Sequence, residues 1–124
     1  MLSLPPSVRI FVCLAPADLR RGFDRLAQMV RDFLGGDPLS GHFFVFRNRR
    51  GDRLKLLYWD ATGFCLCYKR LERGTFVFPA GPARVGAAGL EMTAADFAML
   101  LDGVDLASVR RRPRYRRPAT TVPA

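Results

Sequence analysis

An α+β domain is the fold class this sequence predicts, on three observations. A β-branched and aromatic run stands near the N-terminus, a single stripe of apolar residues recurs at helical spacing, and a series of strand-like runs is broken by turns ending in glycine. The chain has 124 residues, enough for one compact domain and too few for two ordinary ones. Apolar residues make up 49% and charged residues 25%, which supplies material for a core.

The first element is VRIFVCLA, Val8 to Ala15, a strand ended by Pro16 and expected to join the sheet at an edge, in either direction. Asp18 then stands as a helix N-cap. Leu19, Phe23, Leu26, Val30, Phe33 and Leu34 share one stripe, while Arg20, Arg21, Asp24, Gln28 and Arg31 face away. The predicted amphipathic helix covers about residues 18–34 and stops at Gly35-Gly36, with Pro38 beyond it. Gly22 weakens its first turns by about 1 kcal/mol relative to Ala.

From about residue 42 to 79 the pattern becomes that of strands. Arg49-Arg50-Gly51, Ala61-Thr62-Gly63 and Glu72-Arg73-Gly74 each read as a three-residue hairpin loop with a left-handed glycine at its third position. Three such loops predict a four-stranded antiparallel meander with Asn48 opposite Asp52, Asp60 opposite Phe64 and Leu71 opposite Thr75. In that register one face collects His42, Phe44, Phe46, Leu54, Leu56, Tyr58, Leu66, Tyr68, Phe76 and Phe78, and is expected to lie under the helix. The other face sets Arg47 opposite Arg53, beside Lys55 and Lys69, with Phe43, Leu57 and Trp59 among them.

Beyond Pro79, AGPARVGAAG reads as a linker, and Thr93 caps a short helix, TAADFAMLLDG, ended by Gly103. The chain thus divides into an α+β core domain at 1–80, a linker with a short helix at 81–109, and an Arg-rich tail at 110–124. The tail lacks a core pattern and reads as disordered until bound.

The balance of 20 Lys+Arg against 11 Asp+Glu gives a net charge of +9, which favours polyanionic partners: nucleic acid first, an acidic protein second, an anionic membrane third. Six of the nine charges sit in the tail as Arg110, Arg111, Arg112, Arg114, Arg116 and Arg117, leaving +3 for residues 1–109. Those arginines, with Tyr115 to stack on a base, suit a phosphate backbone; the alternative is a solubilising end. No apolar run approaches the roughly 18–20 residues of a membrane span, and MLSLPPSVR lacks the marks of a signal peptide. A soluble cytoplasmic protein is expected, nucleoid-associated if it binds DNA, with no membrane partner. Three cysteines form no disulfide framework, in keeping with a reducing cytosol.

The nucleic-acid-binding candidates on the domain are Arg47, Arg49, Arg50, Arg53, Lys55 and Lys69, with Trp59 to stack. Like charges directly across a ladder destabilise it, so the face calls for a counter-charge or a use. Two other readings stand beside nucleic acid: a half-solvated face whose Lys and Arg stems cover apolar surface, and a protein interface centred on Trp59, Leu57 and Phe43. Catalysis finds little support. His42, the one histidine, is expected in a structural role, and the eleven carboxylates show no metal-site spacing. Cys65 and Cys67 supply two thiols on one strand face, too few to close a zinc site without Cys13. No phosphate loop, HExxH or nucleophile elbow occurs, so no catalytic residue, metal or cofactor is assigned.

Three blocks carry a resemblance: RIFVCLAPADLRRGFDRLAQMV, DPLSGHFFVFRNRRGDRLKLLYWD and GFCLCYKRLERGTFVFP, nearly continuous from Arg9 to Pro79. In order, spacing and wording the chain resembles the small accessory TnpB proteins of bacterial insertion-sequence family 66. The RNA-guided nucleases that share that name are far longer and use a distant acidic triad, so their activity is not implied. The resemblance implies a protein that works in transposition beside a separate, larger transposase, and it supplies no catalytic residues to carry over. Two functions follow: a non-catalytic accessory factor that binds DNA at element ends or in the transposition complex, and an adaptor that docks on the transposase or another element-encoded protein while only the tail touches DNA.

Overall fold

In the computed structural model, which describes residues 7–78, 84–85, 88–102, 104–105 and 110–111, the first strand lies inside the sheet. β1 (Ile10–Cys13) pairs parallel with β2 (Phe43–Arg47), Ile10 against Phe43 through Cys13 against Phe46. Its other side pairs antiparallel with Gly89–Met92. The expectation of an edge strand is corrected by its composition: Ile10, Val12 and Cys13 are all buried, as a strand covered on both faces requires.

A parallel pair needs a crossover, and the helix supplies it. α1 (Phe23–Met29) continues into a π-helical turn, Val30–Leu34, and ends at Gly35 in the left-handed conformation, φ 62°, where the Gly36 N–H donates to the Val30 carbonyl at 3.2 Å. The predicted stop is therefore where the helix ends, but its start is not. Gly22 occupies the N-cap in an extended conformation, and Asp18 closes the turn before it. The Arg20 N–H and Nε donate to Asp18 Oδ1 at 3.1 and 3.0 Å, and the Arg21 N–H donates to the Asp18 carbonyl at 3.0 Å. Beginning the helix at residue 23 turns Phe23 outward, 45% exposed, while Leu26, Ala27, Met29, Val30 and Leu34 are buried.

β3 (Arg53–Trp59) and β4 (Phe64–Arg70) complete an antiparallel meander of three strands with β2. The fourth expected strand does not form. The Leu71 N–H still extends the β3–β4 ladder, donating to the Asp52 carbonyl at 2.8 Å, but after Gly74, φ 70°, the chain folds back towards the first hairpin and the Phe76 N–H donates to the Gly51 carbonyl at 2.7 Å, which buries Phe76 in the core. The sheet grows at its other end instead, through β5 (Arg84–Val85) and β6 (Gly89–Met92), in the order β4-β3-β2-β1-β6-β5. α2 (Ala94–Asp102) follows, capped as expected by Thr93, whose Oγ1 accepts the Asp96 N–H at 3.0 Å. β7 (Val104–Asp105) and β8 (Arg110–Arg111) pair in a separate small ladder, so the tail's first two arginines are in a strand. Arg112, Arg114, Tyr115, Arg116 and Arg117 lie outside the described residues.

The result is an α+β sheet with a helix on each face. On one face α1 and the π turn cover Phe44, Phe46, Leu57 and Cys13; on the other, Phe97 and Leu100 of α2 pack on Ile10, Val12, Phe43, Val45, Leu54, Leu56, Leu90 and Met92. The range that reads in sequence as linker and short helix thus holds a strand paired to β1 and the cover of the second face. Arg9 ties that addition down, its Nε donating to Glu91 Oε2 at 2.8 Å, and His42 Nδ1 accepts the Arg9 N–H at 3.0 Å at the start of β2.

Phe97 is 2% exposed, so Phe97→Ala is expected to cost about 3–5 kcal/mol in urea unfolding; a loss near zero contradicts α2 as core. The Arg20 side chain holds the Asp18 carboxyl down to about 2. A depressed carboxylate contributes stability above its ordinary pKa of about 3.9 and loses it as the pH falls through the folded value. A carbon-detected NMR titration should place the Asp18 midpoint at about 2, and Arg20→Ala should return it towards the ordinary range.

Candidate nucleic-acid interface

The β2–β3 hairpin holds a four-residue loop, Arg49 to Asp52, with Asn48 opposite Arg53. Asn48 makes it so. Its Oδ1 accepts the Arg53 N–H at 3.0 Å, its Nδ2 donates to Asp52 Oδ1 at 2.6 Å, and its carbonyl accepts the Gly51 N–H at 3.1 Å. Gly51 has the expected left-handed backbone, φ 75°, and a Cβ there would sit 3.5 Å from Thr75 Cβ. The Asn48 amide holds the Asp52 carboxyl below its usual range. The second loop is shorter than expected, two residues, Ala61 and Thr62, with Asp60 opposite Gly63. Asp60 Oδ1 accepts the Thr62 and Gly63 N–H groups at 3.2 and 3.1 Å, and Ala61 rather than Gly63 takes the positive φ, 80°. These bonds, with the thiol of Cys65 donating to Oδ2 at 3.4 Å, lower the Asp60 pKa.

Both loops shift the register by one residue from the expected one, and a one-residue shift sends side chains to the opposite face. Arg47 therefore lies opposite Leu54, Arg53 opposite Arg70, Lys55 opposite Tyr68 and Lys69 opposite Leu54. The single basic face read from the sequence is not there. Arg53 and Lys55 lie on the α1 side, while Arg47 and Lys69 alternate to the α2 side. Arg47 donates through Nε and Nη2 to the Leu14 carbonyl at 2.9 and 2.6 Å, and Lys69 donates to the Leu101 carbonyl at the end of α2. Phe43 and Leu57, expected beside them, are core residues on opposite faces.

What the structure does bring together is an arginine-rich end of the sheet. The backbone bonds from Leu71 to Asp52 and from Phe76 to Gly51 hold the turn after β4 against the first hairpin. Arg49 and Arg50 at the tip, the cross-strand pair Arg53 and Arg70, and Arg73 therefore share one end. Its two carboxylates are engaged, Asp52 by Asn48 and Glu72 by Arg70 at 3.0 Å. Arg53 donates to the Tyr68 hydroxyl at 3.3 Å, whereas Arg49 and Arg73 are exposed without a hydrogen bond or ion pair among the described residues. The sequence pattern hides Arg70 and Arg73, because RLERG reads as a hairpin leading into a fourth strand.

Two further features lie on the sheet: aromatic side chains along β3–β4 that run from Tyr68 to Trp59 at the far end of the ladder, and a cleft. Tyr68 lies 52% exposed with the Lys55 ammonium 5.0 Å from its ring centre, and Trp59 and Phe23 both contact Phe64, at 5.1 and 6.4 Å between centroids. On the opposite face a cleft of about 370 Å³ opens between β3–β4 and α2, lined mainly by Val45, Leu54, Leu56, Phe97 and Leu101 with Lys69 and Asp102. Among the described residues no three His, Cys, Asp or Glu side chains gather as a metal site requires, and no helix is long and apolar enough to cross a membrane.

A small two-helix sheet protein with a basic end is the class these features define. The family follows from comparison: the model described as IS66 Orf2 like protein matches residues 8–111, and the chain belongs to that family. It is thereby an accessory protein of an insertion element, from a family not known for catalysis. Similar curated proteins include Uncharacterized protein y4jC of Sinorhizobium fredii, 42% identical over 116 residues, covering 94% of this chain and 96% of the relative. Uncharacterized protein y4hO of the same organism is 41% identical over 105 residues, covering 85% and 88%. No solved structure matches.

Asn48→Ala removes both bonds that close the first loop and is expected to cost about 1–2 kcal/mol in chemical unfolding. NMR should show the Asp52 carboxyl moving up towards its ordinary pKa in the same variant.

Proposed function

We propose that the protein is a non-catalytic accessory factor that binds DNA within the transposition complex of its insertion element, through the arginine-rich end of the sheet and the basic tail. The observation that carries this reading is the gathering of Arg49, Arg50, Arg53, Arg70 and Arg73 at one end whose two carboxylates are already engaged. Guanidinium groups at an exposed loop tip reach phosphates as forked donors, and displacement of condensed counterions drives the association. Membership of an insertion-element family supports that partner, because transposition is a reaction of DNA ends.

The second reading is an adaptor that docks on the transposase, with DNA contacted only by the tail. The open apolar cleft between the sheet and α2 favours it, because exposed apolar surface of that kind suits a protein partner.

The two separate in a salt titration of DNA binding. Arg49→Ala, Arg50→Ala and Arg73→Ala combined should weaken binding and flatten the slope of log K against log salt by roughly 0.9 for each phosphate no longer neutralised. In the full chain, changing Arg110, Arg111, Arg112, Arg114, Arg116 and Arg117 to Gln should leave a measurable slope. An unchanged slope in the first variant and complete loss in the second overturns DNA binding by the domain in favour of the adaptor.

A further inference from the structure

The sheet ends at β4, and among the described residues nothing pairs with its outer edge. Its pairing with β3 determines which backbone groups are free. The Asp60 N–H donates to the Gly63 carbonyl at 3.0 Å and the Leu71 N–H to the Asp52 carbonyl at 2.8 Å, so Gly63 and Leu71 are hydrogen-bonded positions facing β3. Such positions alternate along an antiparallel ladder. Cys65, Cys67 and Lys69 therefore turn their N–H and C=O groups to β3, and Phe64, Leu66, Tyr68 and Arg70 turn theirs to the free edge.

We propose that this edge pairs antiparallel with β4 of a second copy of the chain, about a two-fold axis at Cys67, to form a dimer with one continuous sheet. Only this register gives every outward residue a strand partner: Phe64 meets the second copy's Arg70, and Leu66 meets the second copy's Tyr68. Moving the axis to Leu66 or Tyr68 leaves Arg70 or Phe64 beyond the end of the opposing strand. At two hydrogen bonds per hydrogen-bonded pair, the four pairs make about eight.

The side chains fit the same register. The strand carries Lys69 and Arg70 at one end and the Asp60 turn at the other, so an antiparallel copy brings unlike charges together and sets no like charges opposite. Arg70 comes over the ring of Phe64, a cation–π pairing, and Tyr68, now 52% exposed, packs beside Leu66. Nothing in Phe64–Tyr68 blunts the edge: it holds no proline and no charged residue, and every residue of the strand is paired in register with β3, without a bulge. Cys67 is exposed and meets its own copy at a non-hydrogen-bonded position, where Cα atoms lie about 4.5 Å apart, within disulfide reach.

The full-length protein tests this by size-exclusion chromatography with light scattering, where twice the 13.9 kDa chain mass is expected. Diamide supplies the oxidant for a cross-link: two Cys67 thiols join as a disulfide, and their two protons and two electrons reduce the azo bond to a hydrazine. The cross-linked dimer should persist in Cys65→Ser and vanish in Cys67→Ser. Cys67→Arg and Cys67→Asp each set like charges across the axis and should run as monomers with an unchanged circular dichroism spectrum, and mixing the two should restore the dimer mass. A wild-type chain that stays monomeric, or a dimer that Cys67→Arg leaves intact, overturns the proposal.

Discussion

The parallel pairing of β1 with β2 is the constraint on which the other features rest. Both strands lie in the middle of the sheet and are buried on both faces, so Phe43, Phe44, Val45 and Phe46 are all core residues, alternately under α2 and under α1. A sheet covered on both sides has no free face in its middle. Charge must leave by the ends and edges, and the side chains show this. Arg47 and Lys69 begin on the covered side and end on carbonyls, those of Leu14 and Leu101, while Arg49 and Arg73, which have no such acceptor among the described residues, stand in loops. The buried residues, among those described, are accordingly all apolar.

The second constraint is the side-chain closure of the two meander loops. Asn48 and Asp60 each stand at the start of a loop and accept backbone N–H groups in or across it, the habit that makes Asn and Asp turn residues. The first bond set stabilises a four-residue loop and the second a two-residue one, each in place of the expected three. The consequence reaches the surface, because the register decides which charges are neighbours. With these loops the unfavourable pair is Arg53 with Arg70, and both find acceptors, the Tyr68 hydroxyl and the Glu72 carboxylate.

Much of the architecture was legible in the sequence: the α+β class, the first strand, the helix and its glycine stop, the first three meander strands and the Thr93-capped helix. The misplaced features share a cause. An apolar face reveals the register of a strand only when its other face is solvated. FFVF is a continuous apolar run, the mark of a strand buried on both faces, and it carried the information that a second cover must exist. That cover, α2, was legible as a helix but not as a cover, because it follows AGPARVGAAG, whose Gly, Ala and Pro content reads as linker, and a four-residue strand such as GLEM has no periodicity to set against that. Arg49 and Arg50 were legible as an exposed tip because a loop's place does not depend on register. Arg70 and Arg73 join them only through tertiary hydrogen bonds from the segment after β4.

The arginine-rich end and the β4 edge share Arg70, which ties the two proposals geometrically. A two-fold axis at Cys67 sends the two arginine-rich ends of a dimer in opposite directions along the joined strands. Seven residues of β4 at roughly 3.4 Å each separate those ends by on the order of 20–25 Å, before the loops add their own reach. One turn of B-DNA is about 34 Å, so two such ends on one side of a dimer are spaced on the scale of a helical repeat. On those two proposals, binding by two ends would be stronger than by one because the second contact would be made within the complex, a route to firm attachment that a single hairpin tip of modest charge does not offer.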